Sequence, residues 1–99
     1  MASGANRSVR GTVAGTGAQL DVRTIGFRPS KLELYNEAGD MAVWTDSMPD
    51  DAMWKMAASG AGSYVSSGGV TPLSDGFRLG TDGDLNVSAE VLHYVAHDR

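Results

Sequence analysis

Apolar and polar residues alternate over several short segments of the chain, and glycine-rich stretches separate these segments. Alternation with a period of two is the pattern of a β-strand that buries one face. The pattern predicts strands at residues 20–24, 31–35, 41–45, 63–67, 77–79 and 85–96. Residues 36–40 and 67–69 are predicted to be turns, and Gly39 can supply the positive φ that a hairpin turn often needs.

The longest alternating segment is residues 85–96. One of its faces is mostly apolar and β-branched, which is typical of a strand that faces the core. The predicted core-facing residues are Val87, Ala89, Val91, His93 and Val95. The opposite face mixes polar and aromatic residues.

The segment 52–58 fits two structures. It contains good helix formers, and Asp50 or Asp51 could cap a short helix. The same residues also alternate as a strand would. We predict a strand here, because both flanking regions have the pattern of a sheet protein.

Seven or eight short strands at this spacing predict an all-β sandwich or barrel. A chain of 99 residues suits one small domain with a modest core. No long helix, fixed-period repeat or βαβ unit is predicted. We therefore expect a single β domain over residues 20–99.

Residues 1–19 are rich in glycine, alanine and serine, and we predict a flexible N-terminal arm that does not pack in the core. Within it, residues 8–13 could pair as a short strand, with Val9 and Val13 on one side. The net charge of the chain is −4, but residues 1–31 carry five basic residues and one acid, or +4. This division indicates a basic arm on an acidic body, although chance clustering on an ordinary surface would look the same.

Composition and spacing exclude several kinds of chemistry. The chain has no cysteine, so it has no disulfide, thiolate metal site or cysteine nucleophile. Residues 82–86 start like a calcium loop, but Val87 and His93 stand where that loop needs glycine and glutamate. Tyr94 replaces the glutamate that would make His93 and His97 a zinc-protease motif. We expect no catalytic residues, no metal and no cofactor.

The acidic balance makes nucleic acid an unexpected partner. No apolar stretch approaches the ~20 residues that span a bilayer, so a membrane partner is not expected either. The N-terminal sequence lacks the apolar segment of a signal peptide, which predicts that the protein is made in a cytoplasm.

Methionine and tryptophan cluster in the middle of the chain. Met48, Met53 and Met56 surround Trp54, and Trp44 lies upstream. Such residues fill cores, and they are also enriched in the centres of interfaces. We favour the core, because a small domain needs its large apolar residues inside.

Four segments in a fixed order carry a family resemblance. The first has a Gly-Phe-basic-Pro step followed by an alternating strand that ends in Asn36. The segments are TIGFRPSKLELYN (24–36), WTDSMP (44–49), GVTP (69–72), and GTDGDLNV (80–87) leading to LHYVA (92–96). Together they resemble a family of small virion proteins of tailed bacteriophages, which look like capsid decoration (cement) proteins or, less often, domains of tail or head fibres.

The resemblance implies a β-sandwich or jelly-roll and a structural role, without catalytic residues. It implies that the protein binds the major capsid protein on the outside of the virion, as a homotrimer that stabilises the shell. We expect the basic arm to contact acidic capsid surface through Arg7 and Arg10 and to add a strand to a neighbour. The predicted interface residues are Arg7, Arg10, Arg23, Arg28 and Trp54.

The alternative function is a receptor- or carbohydrate-binding domain of a phage tail or head fibre. In that case Trp44, Trp54 and Tyr64 would form an exposed stacking platform beside Asp46 and Asp50.

Overall fold

A computed structural model describes residues 7–98 as eight β-strands without an α-helix among them. The strands are β1 (Ser8–Ala14), β2 (Leu20–Val22), β3 (Lys31–Asn36), β4 (Met41–Thr45), β5 (Ala52–Met56), β6 (Gly62–Leu73), β7 (Gly76–Leu79) and β8 (Val91–His97). The all-β prediction is confirmed. Within these residues no helix is long and apolar enough to cross a membrane.

All eight strands belong to one antiparallel sheet in the order β1-β8-β3-β4-β5-β6-β7-β2. The sheet is nearly closed, so one face of most strands points to a shared interior. The buried core residues are Val22, Ile25, Phe27, Leu32, Leu34, Ala42, Trp44, Met53, Val70, Phe77, Leu79, Leu85, Leu92, Tyr94 and Ala96. The strands that lie at the two ends of the sheet, β1 and β2, follow each other along the chain.

The alternating pattern forms the centre of the sheet as predicted. In β3 the buried residues are Leu32 and Leu34, and in β4 they are Ala42 and Trp44. Leu32 lies opposite Trp44 and Leu34 opposite Ala42. Direct cross-strand contact between such apolar side chains is what stabilises paired strands.

The segment whose pattern fitted either a helix or a strand is a strand, β5, between β4 and β6. Its pairing is irregular, because the register with β6 shifts between Ala52 and Met53. The extra residues lie on β6, because Ala52 pairs with Val70 whereas Met53 pairs with Val65. Ala52 and Met53 are both fully buried at this irregularity.

The predicted turn at residues 67–69 is wrong, because β6 continues through it to Leu73. Glycine is nevertheless required there. Gly68 has a φ of 77°, and a Cβ on Gly69 would lie 2.7 Å from the carbonyl oxygen of Ala52. The two glycines thus allow the irregular pairing of β5 with β6, and they do not form a turn that reverses the chain.

The C-terminal strand is shorter than predicted, and its faces are the reverse of the predicted ones. Residues 85–90 form turns, and only β8 is extended. Its core-facing residues are Leu92, Tyr94 and Ala96, whereas Val91 and His93 are exposed. Both faces of this segment carry large apolar or aromatic side chains, so alternation alone does not decide which face is inside.

The flexible arm predicted for residues 1–19 is not confirmed where the structure describes it. Residues 8–14 form β1, which pairs with β8 over its whole length. Val9 and Val13 pack against the core. Gly11 lies opposite Tyr94, whose hydroxyl would be 2.6 Å from a Cβ at this position. Residues 1–6 of the predicted arm lie outside the described residues.

Candidate interaction surface

The outer face of the sheet carries a cluster of large apolar side chains across three neighbouring strands. We call Met41, Val43, Trp54, Met56 and Tyr64 the aromatic–methionine patch. The register places Met41 opposite Met56 and Trp54 between Val43 and Tyr64. Trp54 is 54% exposed, Met56 47% and Tyr64 46%. These side chains point to solvent because they alternate with the buried residues of β4 and β5.

The patch encloses a shallow apolar groove of about 200 Å³. Its walls are formed by Met41, Ala42, Val43, Trp54, Lys55, Met56 and Gly62. The rings of Trp54 and Tyr64 meet edge to face, with centroids 5.8 Å apart. Such pairs hold each other in a preferred orientation, so the aromatic wall of the groove is pre-formed. The groove could accept an apolar side chain of a partner.

Polar side chains on β3 border the patch. Tyr35 lies opposite Met41, and Glu33 lies opposite Val43. The Tyr35 hydroxyl donates a hydrogen bond to Glu33, and Nε2 of His97 lies 3.0 Å from a Glu33 carboxylate oxygen. The hydrogen bond from Tyr35 is the main reason that the pKa of Glu33 lies below its usual value of 4.5, with His97 and Lys31 adding to the shift. An apolar centre with a polar border is the usual anatomy of an interface.

This lowered pKa predicts how acid affects stability. Because the folded protein holds Glu33 ionised more strongly than the unfolded chain does, the carboxylate stabilises the fold above pH 4.5. That contribution is lost as the pH falls through the lower pKa of the folded state. Chemical denaturation at pH 6 and at pH 3.5 measures how far the free energy of unfolding falls between these two pH values. We expect this fall to be smaller for Tyr35→Phe than for the unsubstituted protein. An equal loss in both proteins would contradict this assignment.

On the other side of β5, Lys55 fixes the strand that carries Trp54 and Met56. Its Nζ lies 2.9 Å from carboxylate oxygens of both Asp82 and Asp84. The Lys55 side chain is only 15% exposed, and hydrogen bonding first to Asp82 and then to Asp84 raises its pKa. These two ion pairs connect β5 to the loop that precedes β8. The strand that carries Trp54 and Met56 is therefore held in place by residues that lie far from it in the sequence.

Two of the predicted basic contact residues already have acidic partners within the fold. Arg7 pairs with Asp98 at 2.6 Å, and its guanidinium lies 4.8 Å from the centre of the Phe27 ring. Arg23 pairs with Asp75 at 2.9 Å. The positive charge of the N-terminal third is therefore partly neutralised by the body of the protein.

The other two basic residues, Arg10 and Arg28, have no ion pair among residues 7–98. Arg10 is exposed on the outer face of β1. Arg28 lines a cleft of about 400 Å³, together with Arg7, Asp46 and Asp98. That cleft holds both signs of charge, so it is not a simple anion site. Of the predicted interface residues, Arg7 and Arg28 line this one cleft, whereas Arg10 on β1 and Trp54 on β5 are separated by β8, β3 and β4.

The core prediction for methionine and tryptophan is correct for some residues and wrong for others. Trp44 and Met53 are buried, and Met48 is partly buried against the core. Trp54 and Met56 are exposed. Because Trp44 is inside, the predicted stacking platform has only Trp54 and Tyr64 left.

Within the described part of the chain, no group of three or more histidine, aspartate or glutamate side chains comes together in a way that could hold a metal ion. The two histidines each meet one glutamate instead. Nε2 of His93 lies 2.7 Å from a carboxylate oxygen of Glu37, and His97 contacts Glu33. His93 was predicted to face the core, but it lies on the outer face.

No family model, curated protein or solved structure matches the chain. The surface itself is therefore the main basis for a functional assignment. Its most distinctive feature is the aromatic–methionine patch. Sequence reasoning had named Trp54 and Tyr64 but missed Met41 and Val43, which join them only through the register of β4 with β5.

Proposed function

We propose that this chain is a structural virion protein, a capsid decoration protein that binds the outside of the shell of major capsid protein and stabilises it. The observation that carries the proposal is the exposure of Trp54 and Met56 beside one apolar groove, with Tyr64 exposed against Trp54. An exposed apolar cluster with a polar border is characteristic of a protein-binding surface. Tryptophan and tyrosine are also the residues that most often dominate binding energy at such surfaces.

The family resemblance directs this surface to a capsid. The ordered segments over residues 24–96 resemble small virion proteins of tailed phages. On a repeating shell many copies bind side by side, so a small patch is sufficient when avidity strengthens each contact. A location on the virion, a homotrimer and a sandwich or jelly-roll grouping of the strands are the further expectations that come with the resemblance.

Arg10 and Arg28 are the basic residues we assign to secondary contacts. Both are exposed, and neither forms an ion pair within residues 7–98. Arginines without an internal acidic partner can pair with carboxylates of an acidic capsid surface. Such rim contacts weaken as salt increases, whereas the contribution of Trp54 does not depend on salt in this way.

Substitution of Trp54 tests the proposal. We expect Trp54→Ala to weaken binding to capsids that lack the protein by about tenfold to thirtyfold, since a central aromatic anchor typically contributes about 1.4–2 kcal/mol or more. The measurement is the occupancy of purified particles as the added protein is titrated. Val91→Ala is the matched control, because Val91 is also exposed, at 37%, but lies outside the patch. Equal occupancy by Trp54→Ala and by the unsubstituted protein would refute the assignment.

Carbohydrate or receptor binding by a fibre domain is the second candidate, favoured by the exposed edge-to-face pair of Trp54 and Tyr64. The groove beside this pair has mainly apolar walls, whereas a sugar site needs several hydrogen-bonding groups around its aromatic ring. Asp46, which was expected beside the platform, lines the mixed-charge cleft. Copy number per particle separates the candidates, because decoration follows the capsid lattice and fibres are few.

A further inference from the structure

Strand β1 leaves one edge of the sheet open. It pairs with β8 along one side, and no strand among residues 7–98 pairs with its other side. In antiparallel pairs, consecutive residues direct their backbone N–H and C=O groups alternately toward and away from a given neighbour. The sides to which the groups of β1 point can therefore be assigned.

Two hydrogen bonds at the ends of β1 fix this assignment. The carbonyl oxygen of Arg7 accepts a hydrogen bond from the N–H of Asp98, and the N–H of Gly15 donates one to the carbonyl of Glu90, both at 2.9 Å. Odd-numbered residues thus direct their backbone groups toward β8. The even-numbered residues direct theirs to the open edge, and these are Ser8, Arg10, Thr12 and Ala14.

The open edge lacks most features that prevent strands from pairing with other chains. Proteins commonly protect an edge with proline, a bulge, a very short strand or charges that point inward. Strand β1 has seven residues, contains no proline and pairs with β8 without a register shift. The other end of the sheet differs, because β2 has only three residues.

We propose that β1 pairs with β1 of a second copy of this chain, antiparallel and centred on Gly11. In this register, residues whose numbers add to 22 lie opposite each other. Ser8 then faces Ala14, Val9 faces Val13, and Arg10 faces Thr12 of the other copy. The even-numbered pairs are the hydrogen-bonded ones, so they use the backbone groups that the fold leaves free.

The sequence of β1 is self-complementary in this register. A two-fold axis at Gly11 pairs all seven residues of the strand, whereas an axis at Arg10 would place two arginines directly opposite each other. Like charges in that position destabilise a strand pair. Gly11 would sit at the axis as a pair without hydrogen bonds, where the Cα atoms approach to about 4.5 Å. Val9 and Val13, which are only partly buried in one copy, would pack against their counterparts.

This pairing does not involve the aromatic–methionine patch, because β1 carries no residue of it, and Arg10 is the one residue that the two proposals share. The pairing also predicts a different assembly. A two-fold strand pair closes as a dimer, whereas the family resemblance implies a trimer. The mass of the complex in solution therefore distinguishes the two.

Charge substitutions at Thr12 test the register. The exposed Thr12 lies opposite Arg10 of the other copy, twice per dimer. We expect sedimentation equilibrium of the full chain to show a monomer–dimer equilibrium built from the 10.4 kDa subunit. Thr12→Arg should raise the dimer dissociation constant about tenfold through two like-charge pairs. Thr12→Glu should lower it several-fold at low salt, and this gain should disappear at high salt.

Ser74→Arg and Ser74→Glu are the matched controls, because Ser74 is exposed in the turn between β6 and β7. Circular dichroism verifies that each variant is folded, and Thr12→Glu still decides the question if Thr12→Arg does not fold. The proposal is overturned if the unsubstituted chain stays monomeric up to about 1 mM, a range that reaches even weak complexes. It is likewise overturned if both Thr12 variants shift the equilibrium in the same direction, or if a trimer forms that neither variant affects.

Discussion

Trp44→Ala is expected to lower the free energy of unfolding by about 3–5 kcal/mol, the range for removing a large aromatic side chain from a packed core. Trp44 is 1% exposed. It lies opposite Leu32, and its Nε1 is 3.5 Å from the carbonyl oxygen of Pro49. A small domain is stable by only about 5–15 kcal/mol in total, so this single change would leave a marginal fold.

The other tryptophan provides the control. Trp54 is 54% exposed, and apart from its contact with Tyr64 it supports little of the fold. We expect Trp54→Ala to cost about 1 kcal/mol or less. Urea denaturation followed by circular dichroism measures both variants without depending on tryptophan fluorescence. Equal losses of stability in the two variants would contradict the placement of these side chains.

The same pair of variants reports the environment of each tryptophan. Trp54→Ala leaves Trp44 as the only indole, and its emission should be blue-shifted and insensitive to a soluble quencher. Trp44→Ala leaves Trp54, whose emission should be red-shifted and readily quenched. These spectra also bear on function, because the proposed interface needs an accessible Trp54.

The sequence could predict the central strands because alternation is clear where one face is apolar and the other is polar. Residues 31–35 are such a case, with Leu32 and Leu34 between polar neighbours, and β3 forms there. Residues 85–96 do not show such a clear contrast, because Leu92 and Tyr94 on one face alternate with valines on the other. A choice between two apolar faces depends on the strand that packs over them, which local sequence does not contain.

The burial of Ala52 depends on an irregularity that alternation cannot anticipate. Strict alternation from Ala52 to Met56 would put Met53 on the opposite face from Trp54, with Ala52 on the same face as Trp54. The register shift between Ala52 and Met53 buries both of these residues instead. It separates Ala52 from the exposed face and leaves Trp54 and Met56 there. The exposure of Trp54 and Met56 requires only that the face of β5 with Met53 packs inward, and alternation alone does not decide which face does so.

The charges illustrate a similar limit. The N-terminal third of the sequence is basic, but the acidic partners of its arginines are far away in sequence. Arg7 pairs with Asp98, and Arg23 pairs with Asp75. Only the sheet order, which places β1 beside the C-terminal β8, brings the first of these pairs together. Net charge over a segment thus says little about the charge that a partner would meet.

Asn86 is a buried amide that forms hydrogen bonds to two separate segments of the chain. Its Oδ1 accepts hydrogen bonds from the N–H groups of Thr16 and Gly17, at 2.8 and 3.3 Å. Its Nδ2 donates to the carbonyl oxygens of Ala18 and Gly80. One side chain that is 2% exposed therefore links the connection between β1 and β2 to the loop after β7.

We expect Asn86→Ala to lower the free energy of unfolding by about 3 kcal/mol, because a buried side chain and its four hydrogen bonds are lost. Gln19→Ala is the matched control, since Gln19 is an exposed amide on the same connection, and its effect should stay within about 0.5 kcal/mol. Denaturation of both variants under identical conditions gives the comparison. A loss below 1 kcal/mol for Asn86→Ala would show that water replaces the amide, which this degree of burial argues against.

Asn86→Asp separates the hydrogen-bonding role of this side chain from its size. The carboxylate keeps the shape of the amide but turns an oxygen toward the carbonyls of Ala18 and Gly80, where no donor remains. We expect the variant to be at least as unstable as Asn86→Ala at pH 7. Burial near two carbonyls should raise the pKa of the introduced carboxyl, and its protonated form can donate one hydrogen bond again. The stability of Asn86→Asp relative to the unsubstituted protein should therefore recover as the pH falls, and a constant difference between pH 7 and pH 4 would contradict this account of how the connection between β1 and β2 is held.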